Sequence, residues 1–370
     1  MVVSLCTVCK NRSAHYKATI LKNIADNIHD PNVEFILLDY NSEDDLEEWV
    51  RHNLTEHIES GIFTYYKTNE PEYFHRSHSR NMAFRLAKGD ILCNVDADNF
   101  TGYSFTNYLR ECFMKSENIF VCAGGKFDSI ACSDIGGRIG MSQEAFLKVG
   151  GYDENMSNYG FEDFDLIGRL EMSGIEKILI KNNGFLEAIK HSEKNRIHEE
   201  FPYKNLKNVF LHYIDPTRSK ILYIFKDNTF ATGTLSNGVN IKHLEEQRKS
   251  SFEFSRNGIY VVEYKWTIGT ITTEHIGETA FLNEQLDTIY SSESTTDGDT
   301  LLLKDNSCEL KFHALKNTSL LEMILLFYSE IHNGAKMVEN INLKIIKPND
   351  VQLGRGIVYK NFDYHNPITL

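Results

Sequence analysis

The sequence has 370 residues, more than one hydrophobic core normally needs, and it therefore predicts two domains. Hydrophobic residues make up 41% and charged residues 25%, the balance of an ordinary soluble globular protein. The formal net charge of −13 argues against a general nucleic-acid-binding protein, because phosphate contacts need clustered lysine and arginine. A nucleotide site stays open, since a bound metal ion can supply positive charge locally.

The first part of the chain alternates predicted strands with predicted helices. In chain order these elements are strand Val2–Val8, a helix through Ile20, Leu21, Ile24 and Ile28, strand Glu34–Leu38, strand Phe63–Tyr66, a helix from about Ser79 and strand Ile91–Val95. Near-continuous apolar strands separated by helices are typical of a mostly parallel sheet covered on both faces. The sequence therefore predicts an α/β fold, with ligands bound at the C-terminal ends of the strands.

The pattern changes after Pro216. Short strands of aromatic and β-branched residues recur between Asn, Asp and Gly turns, and Ile341–Ile346 is one of them. This pattern predicts an all-β sandwich or jelly roll. We place the domain boundaries at 1–215 and 216–370, with a helix predicted near Lys204–Tyr213 at the end of the first domain.

The N-terminus begins directly with the first predicted strand, and no basic and then apolar signal segment precedes it. No apolar run approaches the roughly 18 residues that span a bilayer. We therefore expect a cytoplasmic protein without a transmembrane segment, and peripheral association with the inner face of the membrane stays open.

Two acidic clusters are the candidate chemical features. Asp96 and Asp98 follow an apolar strand, and two carboxylates one residue apart can hold Mg²⁺ or Mn²⁺ beside a departing diphosphate. Glu162 and Asp163 follow the flexible Gly160 and open a predicted helix, where a partly screened carboxylate can act as a general base. The alternatives are a solvated acidic turn for the first pair, and helix caps or dipole partners for the second.

Three segments in order resemble the C-terminal catalytic half of β-1,4-galactosyltransferases: Gly136–Ser142, Glu144–Glu154 and Tyr159–Asp163. They are also similar to the transferase modules of bacterial chondroitin-type polymerases. The N-terminal half resembles the inverting family 2 glycosyltransferases with the GT-A fold, a Rossmann-like, mostly parallel sheet. It does so through strand Val2–Val8, Asp39–Ser42, Ser79–Asn81 and the Asp96–Asp98 DxD motif. The resemblance covers roughly residues 1–200.

The resemblance implies a role for each matching residue. It makes Asp96 and Asp98 the metal motif together with His191, and it makes Mn²⁺, or else Mg²⁺, the cofactor, since an imidazole favours Mn²⁺. It makes Asp163 the catalytic base and Glu162 a contact of the acceptor.

On the donor side, the resemblance implies that Asp39 hydrogen-bonds the base, most often uracil. It also implies that four residues line the nucleotide and diphosphate: Thr7, Lys10, Arg12 and Arg80. Two departures from galactosyltransferases affect the acceptor platform and the metal shell, Tyr159 in place of Trp and Ala188 in place of Met.

The implied function is metal-dependent, inverting transfer of a sugar from a nucleotide-sugar, usually a UDP-sugar, to a hydroxyl of a glycan or glycolipid. Synthesis of a bacterial surface polysaccharide is the expected setting. The β-rich part is expected to be an accessory domain through which the chain could form a homo-oligomer. Two alternatives stay open, a metal-dependent nucleotidyltransferase or hydrolase, and a non-catalytic carbohydrate-binding protein.

Overall fold

The computed structural model forms two compact units. It describes residues 1–124, 135–190, 194–215, 218–237, 259–261, 266–273, 278–293, 299–305, 307–316, 318–349 and 352–370. The first unit comprises Met1–Ser192 and Lys336–Leu370, and the second comprises Glu193–Ala335. This division differs from the predicted 1–215 and 216–370, because the chain returns to the first unit after completing the second.

The N-terminal part of the first unit contains nine strands and seven α-helices among the residues described. The strands are β1 (Val3–Cys9), β2 (Val33–Tyr40), β3 (Phe63–Thr68), β4 (Ile91–Asn94), β5 (Asn99–Phe100), β6 (Ile119–Cys122), β7 (Ile139–Ser142), β8 (Glu176–Leu179) and β9 (Glu187–Ala188). The helices are α1 (Ser13–Asn27), α2 (Leu46–Asn53), α3 (Thr55–Glu59), α4 (Arg76–Leu86), α5 (Phe105–Lys115), α6 (Gln143–Lys148) and α7 (Glu162–Met172), followed by a 3₁₀ turn at Asn183–Phe185.

The remaining elements belong to the second unit and to the C-terminal part of the first. The second unit contains α8 (Lys194–Ile197), α9 (Phe201–Asn205), β10 (Leu206–Asp215), β11 (Arg218–Phe225), β12 (Thr229–Asn237), β13 (Ile259–Val261), β14 (Thr267–Thr273), β15 (Glu278–Asn283), β16 (Thr288–Glu293), β17 (Thr300–Lys304) and β18 (Glu309–Ala314). Helix α10 (Thr318–Asn342) begins in the second unit and ends in the first, before β19 (Ile357–Lys360) and β20 (Asp363–Thr369). Across the described ranges, we find no helix whose length and apolarity would let it cross a membrane.

The sheet of the first unit has the order β20-β19-β3-β2-β1-β4-β7-β6-β8. Its centre, β3-β2-β1-β4, is parallel, and β7, β19 and β20 run antiparallel to their neighbours. Apolar side chains cover both faces, with α4 packed on one face and α1 on the other. This mixed, mostly parallel sheet covered by helices confirms the predicted α/β architecture of the GT-A type.

The sheet register brings the polar strand ends together. Cys9 at the end of β1 pairs with Asp39 on β2, and Cys6 pairs with Asn94 at the end of β4. The Asp96–Asp98 turn therefore leaves the same edge of the sheet as Asp39, as expected for a ligand site at the C-terminal strand ends.

The second unit confirms the all-β prediction, but its sheet closes. The strand order is β11-β10-β18-β17-β16-β15-β14-β12-β13, and an additional β11–β12 pairing joins eight of these strands into a barrel. The predicted helix near Lys204–Tyr213 is instead mostly strand β10. Apolar residues lie on both faces of this strand. Val209 and Leu211 pack in one apolar cluster with residues of α10, and Phe210 packs in a second cluster with Phe281 and Phe312.

The end of the chain adds two strands to the first unit, where β19 pairs with β3 and β20 forms the edge. The predicted strand Ile341–Ile346 instead begins as the last residues of α10 and continues as a turn. We call residues 340–349 and 352–357 the C-terminal strap. Its Leu353 joins the apolar core around α4, and the Leu353 carbonyl accepts a hydrogen bond of 2.7 Å from Arg85.

Gly354 of the C-terminal strap lies against α4, and replacing it tests how closely the two segments approach each other. Its φ is +58°, and a Cβ atom there would lie 2.7 Å from the backbone nitrogen of Met82. Gly174 is a matched control, because its φ is +76° but a Cβ would meet nothing within 4 Å. We expect Gly174→Ala to lower the free energy of unfolding by about 1–2 kcal/mol through backbone strain alone. Gly354→Ala should lose clearly more in urea unfolding, and equal losses would contradict the close approach.

Candidate active site

One arginine joins the two acidic clusters. The Arg80 guanidinium lies on α4 and is only 5% exposed. Its Nη1 is 2.9 Å from Asp163 Oδ1 and 3.3 Å from Glu162 Oε1. Its Nη2 is 3.1 Å from Asp96 Oδ1. The structure therefore brings together residues that the sequence separates into two motifs.

Contacts on either side of Arg80 fix its position on α4. The guanidinium lies over the Tyr152 ring, 5.2 Å from its centroid. The neighbouring Asn81 donates to the Tyr152 carbonyl at 2.9 Å and accepts from the Tyr152 backbone N–H at 2.8 Å. At the start of the helix, the His75 side chain accepts from the backbone N–H of His78. Arg80 is therefore held between a capped helix and the chain around Tyr152.

The carboxylates around Arg80 differ in their acidity. Burial raises the pKa of Asp163 to about 7, and nearby Glu162 adds to this rise while Arg80 opposes it. Burial also acts to raise the pKa of Asp96, but Arg80 and the Asn94 amide outweigh it and hold that pKa below its usual value. Asp96 is therefore ionised at neutral pH, whereas Asp163 exchanges a proton there. Groups whose pKa values are pushed apart in this way are typical of separate catalytic roles.

The Asp96–Asp98 turn is supported by a second buried arginine. Asp98 Oδ1 accepts a hydrogen bond of 2.8 Å from Asn99 Nδ2, and Asn99 Oδ1 accepts one of 3.3 Å from Arg138 Nη2. Arg138 is fully buried, and its Nε and Nη1 have no hydrogen-bond partner within the described ranges. Burial lowers its pKa, while Cys93 and the two aspartates oppose this. Arg138 thus places positive charge behind the turn.

The donor set of this turn fits a hard divalent cation. Asp96 and Asp98 offer carboxylate oxygens, the ligand type that Mg²⁺ and Mn²⁺ prefer. Gly137 leaves room in front of them, since a Cβ there would lie 2.6 Å from Asp96 Oδ2. No group of three or more His, Cys, Asp and Glu side chains suited to a metal occurs in the part of the chain that the structure describes. His191, the third predicted ligand, lies outside those residues, and its role stays a prediction.

The predicted base-binding residue, Asp39, is fully buried at the end of β2. Its carboxylate accepts hydrogen bonds of 2.8 Å from the backbone N–H of Ser42 and 2.7 Å from the Tyr65 hydroxyl. Burial raises its pKa, and these hydrogen bonds and Lys67 oppose the rise. Asp39 is therefore part of a fixed polar network at the strand end.

Lys10 occupies a different position from the Arg80 cluster. Its ammonium donates hydrogen bonds to the carbonyls of Tyr40, Asn41 and Pro71 at 3.3, 2.8 and 3.3 Å. Its charge therefore ties together the loops that follow β2 and β3. Two other predicted donor contacts flank Lys10 in the sequence. Thr7 is buried within β1, and Arg12 directly precedes α1.

Several contributing residues were not predicted from the sequence. Asn94 donates to Asp96 Oδ1 at 2.9 Å and to the Gly137 carbonyl at 2.8 Å. The sequence could have indicated a role for Asn94, because it is a polar residue in an otherwise apolar strand. Arg138 and Tyr152 gave no such signal, because an isolated arginine normally lies at the surface and a tyrosine after two glycines is an ordinary core residue.

Two sequence profiles match the first unit. Residues 4–130 match the profile described as glycosyl transferase family 2. Residues 126–197 match the one described as the N-terminal domain of galactosyltransferase. The resemblance to family 2 glycosyltransferases with a galactosyltransferase-like second half is thus confirmed over these residues. No curated protein matches the chain.

Solved structures show weaker likenesses. The mannosyltransferase PcManGT from Pyrobaculum calidifontis, in complex with GDP-Man and Mn²⁺, is 19% identical, with 48% of this chain and 54% of that chain covered and a TM-score of 0.40. S. aureus TarS 1-349 in complex with UDP is 13% identical, with 49% and 58% covered and a TM-score of 0.37. Glucosyl-3-phosphoglycerate synthase from Mycobacterium tuberculosis, with Mn²⁺, UDP and glucosyl-3-phosphoglycerate, is 17% identical, with 52% and 74% covered and a TM-score of 0.38.

This chain therefore spans little more than half the length of the first two of these proteins, at 54% and 58%.

The pKa of Asp163 gives a prediction for stability against pH. The pKa of this carboxyl is about 7 in the folded protein and 3.8 for an ordinary aspartate, so the folded state holds a proton that the unfolded chain releases between these values. The free energy of unfolding of the wild type should therefore fall as pH rises from about 4 to about 7. Asn does not titrate, so Asp163→Asn should gain stability relative to wild type between about pH 4 and 7, by at most about 4 kcal/mol.

Urea unfolding from pH 4 to 8, with chelator and without nucleotide, measures this difference. The exposed Glu111→Gln is the control for loss of a carboxylate. A difference between wild type and Asp163→Asn that does not change with pH would contradict the raised pKa.

Proposed function

We propose that this protein transfers a sugar from a nucleotide-sugar, a UDP-sugar in particular, to a hydroxyl of a glycan or glycolipid. The matches of residues 4–130 to the family 2 glycosyltransferase profile and of residues 126–197 to the galactosyltransferase profile support this proposal. The reaction is metal-dependent and inverts the anomeric configuration. The observation that carries the proposal is the Arg80 cluster, in which one guanidinium contacts Asp96 of the DxD motif and Asp163 of the second acidic motif.

Asp163 is the proposed general base. A carboxylate whose pKa lies near 7 is suited to accept a proton at neutral pH. The acceptor oxygen gives its proton to Asp163 and forms a bond to the anomeric carbon. The bond from that carbon to the diphosphate oxygen breaks on the opposite face, and its electron pair leaves with the diphosphate.

Arg80 and the DxD motif are proposed to act on the leaving group. Arg80 lies beside both Asp163 and Asp96, so its fixed positive charge is close to where negative charge develops. A divalent ion held by Asp96, Asp98 and His191 would supply Lewis-acid stabilisation of the diphosphate when bound. Arg138 behind the turn would keep Asp98 oriented through Asn99.

Glu162 is the proposed acceptor contact. Its side chain is buried, and its Oε2 has no hydrogen-bond partner within the described ranges. A buried carboxylate oxygen without a donor is costly, so a sugar hydroxyl that donates to it would be bound favourably. This supports placing the acceptor hydroxyl between Glu162 and Asp163.

The donor roles of Thr7, Arg12 and Asp39 remain part of the proposal, with Asp39 at the base. For Lys10 the contacts support a role in fixing the loops around the nucleotide as well as in lining it. We further propose a cytoplasmic enzyme of bacterial surface polysaccharide synthesis, acting at the inner face of the membrane, with the barrel unit as an accessory or association module. The resemblance to chondroitin-type polymerase modules is the support for this setting.

A nucleotidyltransferase or hydrolase would also use paired carboxylates. Release of nucleoside diphosphate from a panel of sugar donors, measured with Mn²⁺ and with or without an acceptor glycan, separates these reactions. Sugar transfer requires release that depends on the acceptor, and hydrolysis requires release that does not. A carbohydrate-binding protein would release none.

Replacing the proposed base should remove turnover but not donor binding. We expect Asp163→Asn to lower kcat by about 100- to 10,000-fold, the usual contribution of a general base. The affinity for UDP with Mn²⁺ should stay close to that of wild type. The wild-type kcat/KM should rise with pH and level off above about 7.

Glu171→Gln is the matched control, since Glu171 is an exposed carboxylate on the same helix, α7. Wild-type turnover in Asp163→Asn would remove this residue from the mechanism.

Removing the Asp98 carboxylate should weaken metal binding. We expect Asp98→Ala to lower the Mn²⁺ affinity by more than the roughly 10- to 100-fold that loss of an outer-shell partner costs. Binding of UDP in the presence of Mn²⁺ should weaken with it. Calorimetric titration with Mn²⁺ measures this, with Glu111→Gln as the control, and an unchanged affinity would rule Asp98 out as a ligand.

A further inference from the structure

The start of α7 has an uncommon backbone conformation and no side-chain cap. The residue before the helix, Phe161, has a left-handed φ of +68° and its side chain makes no capping hydrogen bond. A non-glycine residue in that region costs about 1 kcal/mol or more, and persists where surrounding contacts impose it. Because Glu162 and Asp163 open this helix, their positions depend on contacts from elsewhere in the chain.

The C-terminal strap supplies such a contact through Asn340. The amide of Asn340 donates one hydrogen bond of 2.9 Å to Asp165 and a second of 2.8 Å to Asp153. Asp165 also forms an ion pair of 2.7 Å with Arg169, whose guanidinium donates to the Val149 carbonyl at 2.8 Å. All four side chains are at most 2% exposed. Asp165 lies two residues after Asp163, so this buried network ends on the catalytic turn.

The C-terminal strap also reaches the chain that holds Arg80. Asn349 donates to the Gly150 and Tyr152 carbonyls at 2.7 and 2.5 Å and accepts from the Glu154 backbone N–H at 3.0 Å. The Glu154 carboxylate accepts from the Gly354 backbone N–H and, at 2.8 Å, from Asn81. Asn81 is the neighbour of Arg80 on α4. The C-terminal strap therefore contacts the supports of both partners in the Arg80–Asp163 ion pair.

We propose that the C-terminal strap is part of the active site and that Asn340 is a positioning residue, which fixes the first turn of α7 and with it the Asp163 carboxylate. The inference rests on the proposed sugar transfer, because it assigns Asn340 an effect on that reaction. Asn340 itself does not touch the reacting atoms. It acts through Asp165, whose side chain it holds from the far end of the chain.

Asn340→Ala tests the proposal against Asn342→Ala, an exposed asparagine on the same helix. The assay uses the full chain, a panel of UDP-sugars with acceptor glycan, and calorimetric titration with UDP in the presence of Mn²⁺. We expect Asn340→Ala to lower kcat by about 10- to 100-fold, the effect of a misplacement near 1 Å. The UDP affinity and the number of UDP sites per chain should match those of Asn342→Ala.

A purely structural role predicts a different result. If Asn340 only stabilises the fold, the number of UDP sites falls in the same proportion as the rate, and the proposal is overturned. A kcat equal to that of Asn342→Ala overturns it as well. If wild type transfers no sugar from any donor of the panel, the proposed function fails first, and this positioning role fails with it.

Should Asn340→Ala be insoluble, Asn340→Ser provides the second test. A serine hydroxyl can donate to only one of the two carboxylates. We expect kcat to fall below that of Asn342→Ala, by less than about 100-fold, again with a full complement of UDP sites. Wild-type kcat in Asn340→Ser would overturn the proposal.

Discussion

The contact of the Arg80 guanidinium with Asp96, Glu162 and Asp163 is the interaction on which the site depends. Burying one cation among three carboxylates is favourable only where every charge is held in place, because desolvation costs several kcal/mol per ion. Burial opposes the charge on Arg80, yet the carboxylates, Asp163 first, raise its pKa well above the usual value. The arginine is therefore permanently charged. Burial raises the pKa of Asp163 to about 7 in spite of Arg80, with Glu162 and Asp96 adding to the rise, and this makes Asp163 suitable as a base.

The fold explains how these charges come to one place. Parallel pairing of β1 with β2 and β4 brings the ends of three strands to the same edge of the sheet, and the Asp96–Asp98 turn follows the last of them. Helix α4 packs on one face of the sheet and carries Arg80. Asn94 and Arg138 then hold the turn from behind. The strands thus determine where the Asp96–Asp98 turn lies, and the buried polar side chains determine how it is oriented.

Much of this could be predicted from the sequence, because it depends on local patterns. Apolar strands alternating with helices predicted the parallel centre of the sheet, and the two acidic motifs predicted the carboxylates that Arg80 joins. The rest depends on pairings between distant residues, for which a local pattern gives no signal. Strand β10 has apolar residues for both of its faces and therefore resembles a helix in periodicity. Ile341–Ile346 alternates apolar and polar residues as a strand would, but Ile341 and Leu343 are exposed where α10 ends. The pairing of β19 with β3 could not be predicted, since nothing in either segment specifies the other.

In the sequence, the barrel unit is an insertion within the first unit. The second unit lies between two segments of the first, so the first unit is complete only after the second has been made. An insertion of this kind adds little closure entropy, which grows only by about 0.6 kcal/mol for each doubling of loop length. As a result, Asp153 and Asp165 receive the hydrogen bonds of the Asn340 amide only when the segment after the second unit has folded back onto the first unit. Asp165 also has its ion pair with Arg169, and Asp153 also accepts hydrogen bonds from Asn155, so Asn340 completes a buried network rather than creating it. The profile matches within residues 4–197 thus cover both acidic motifs, while the first unit is completed by residues 336–370.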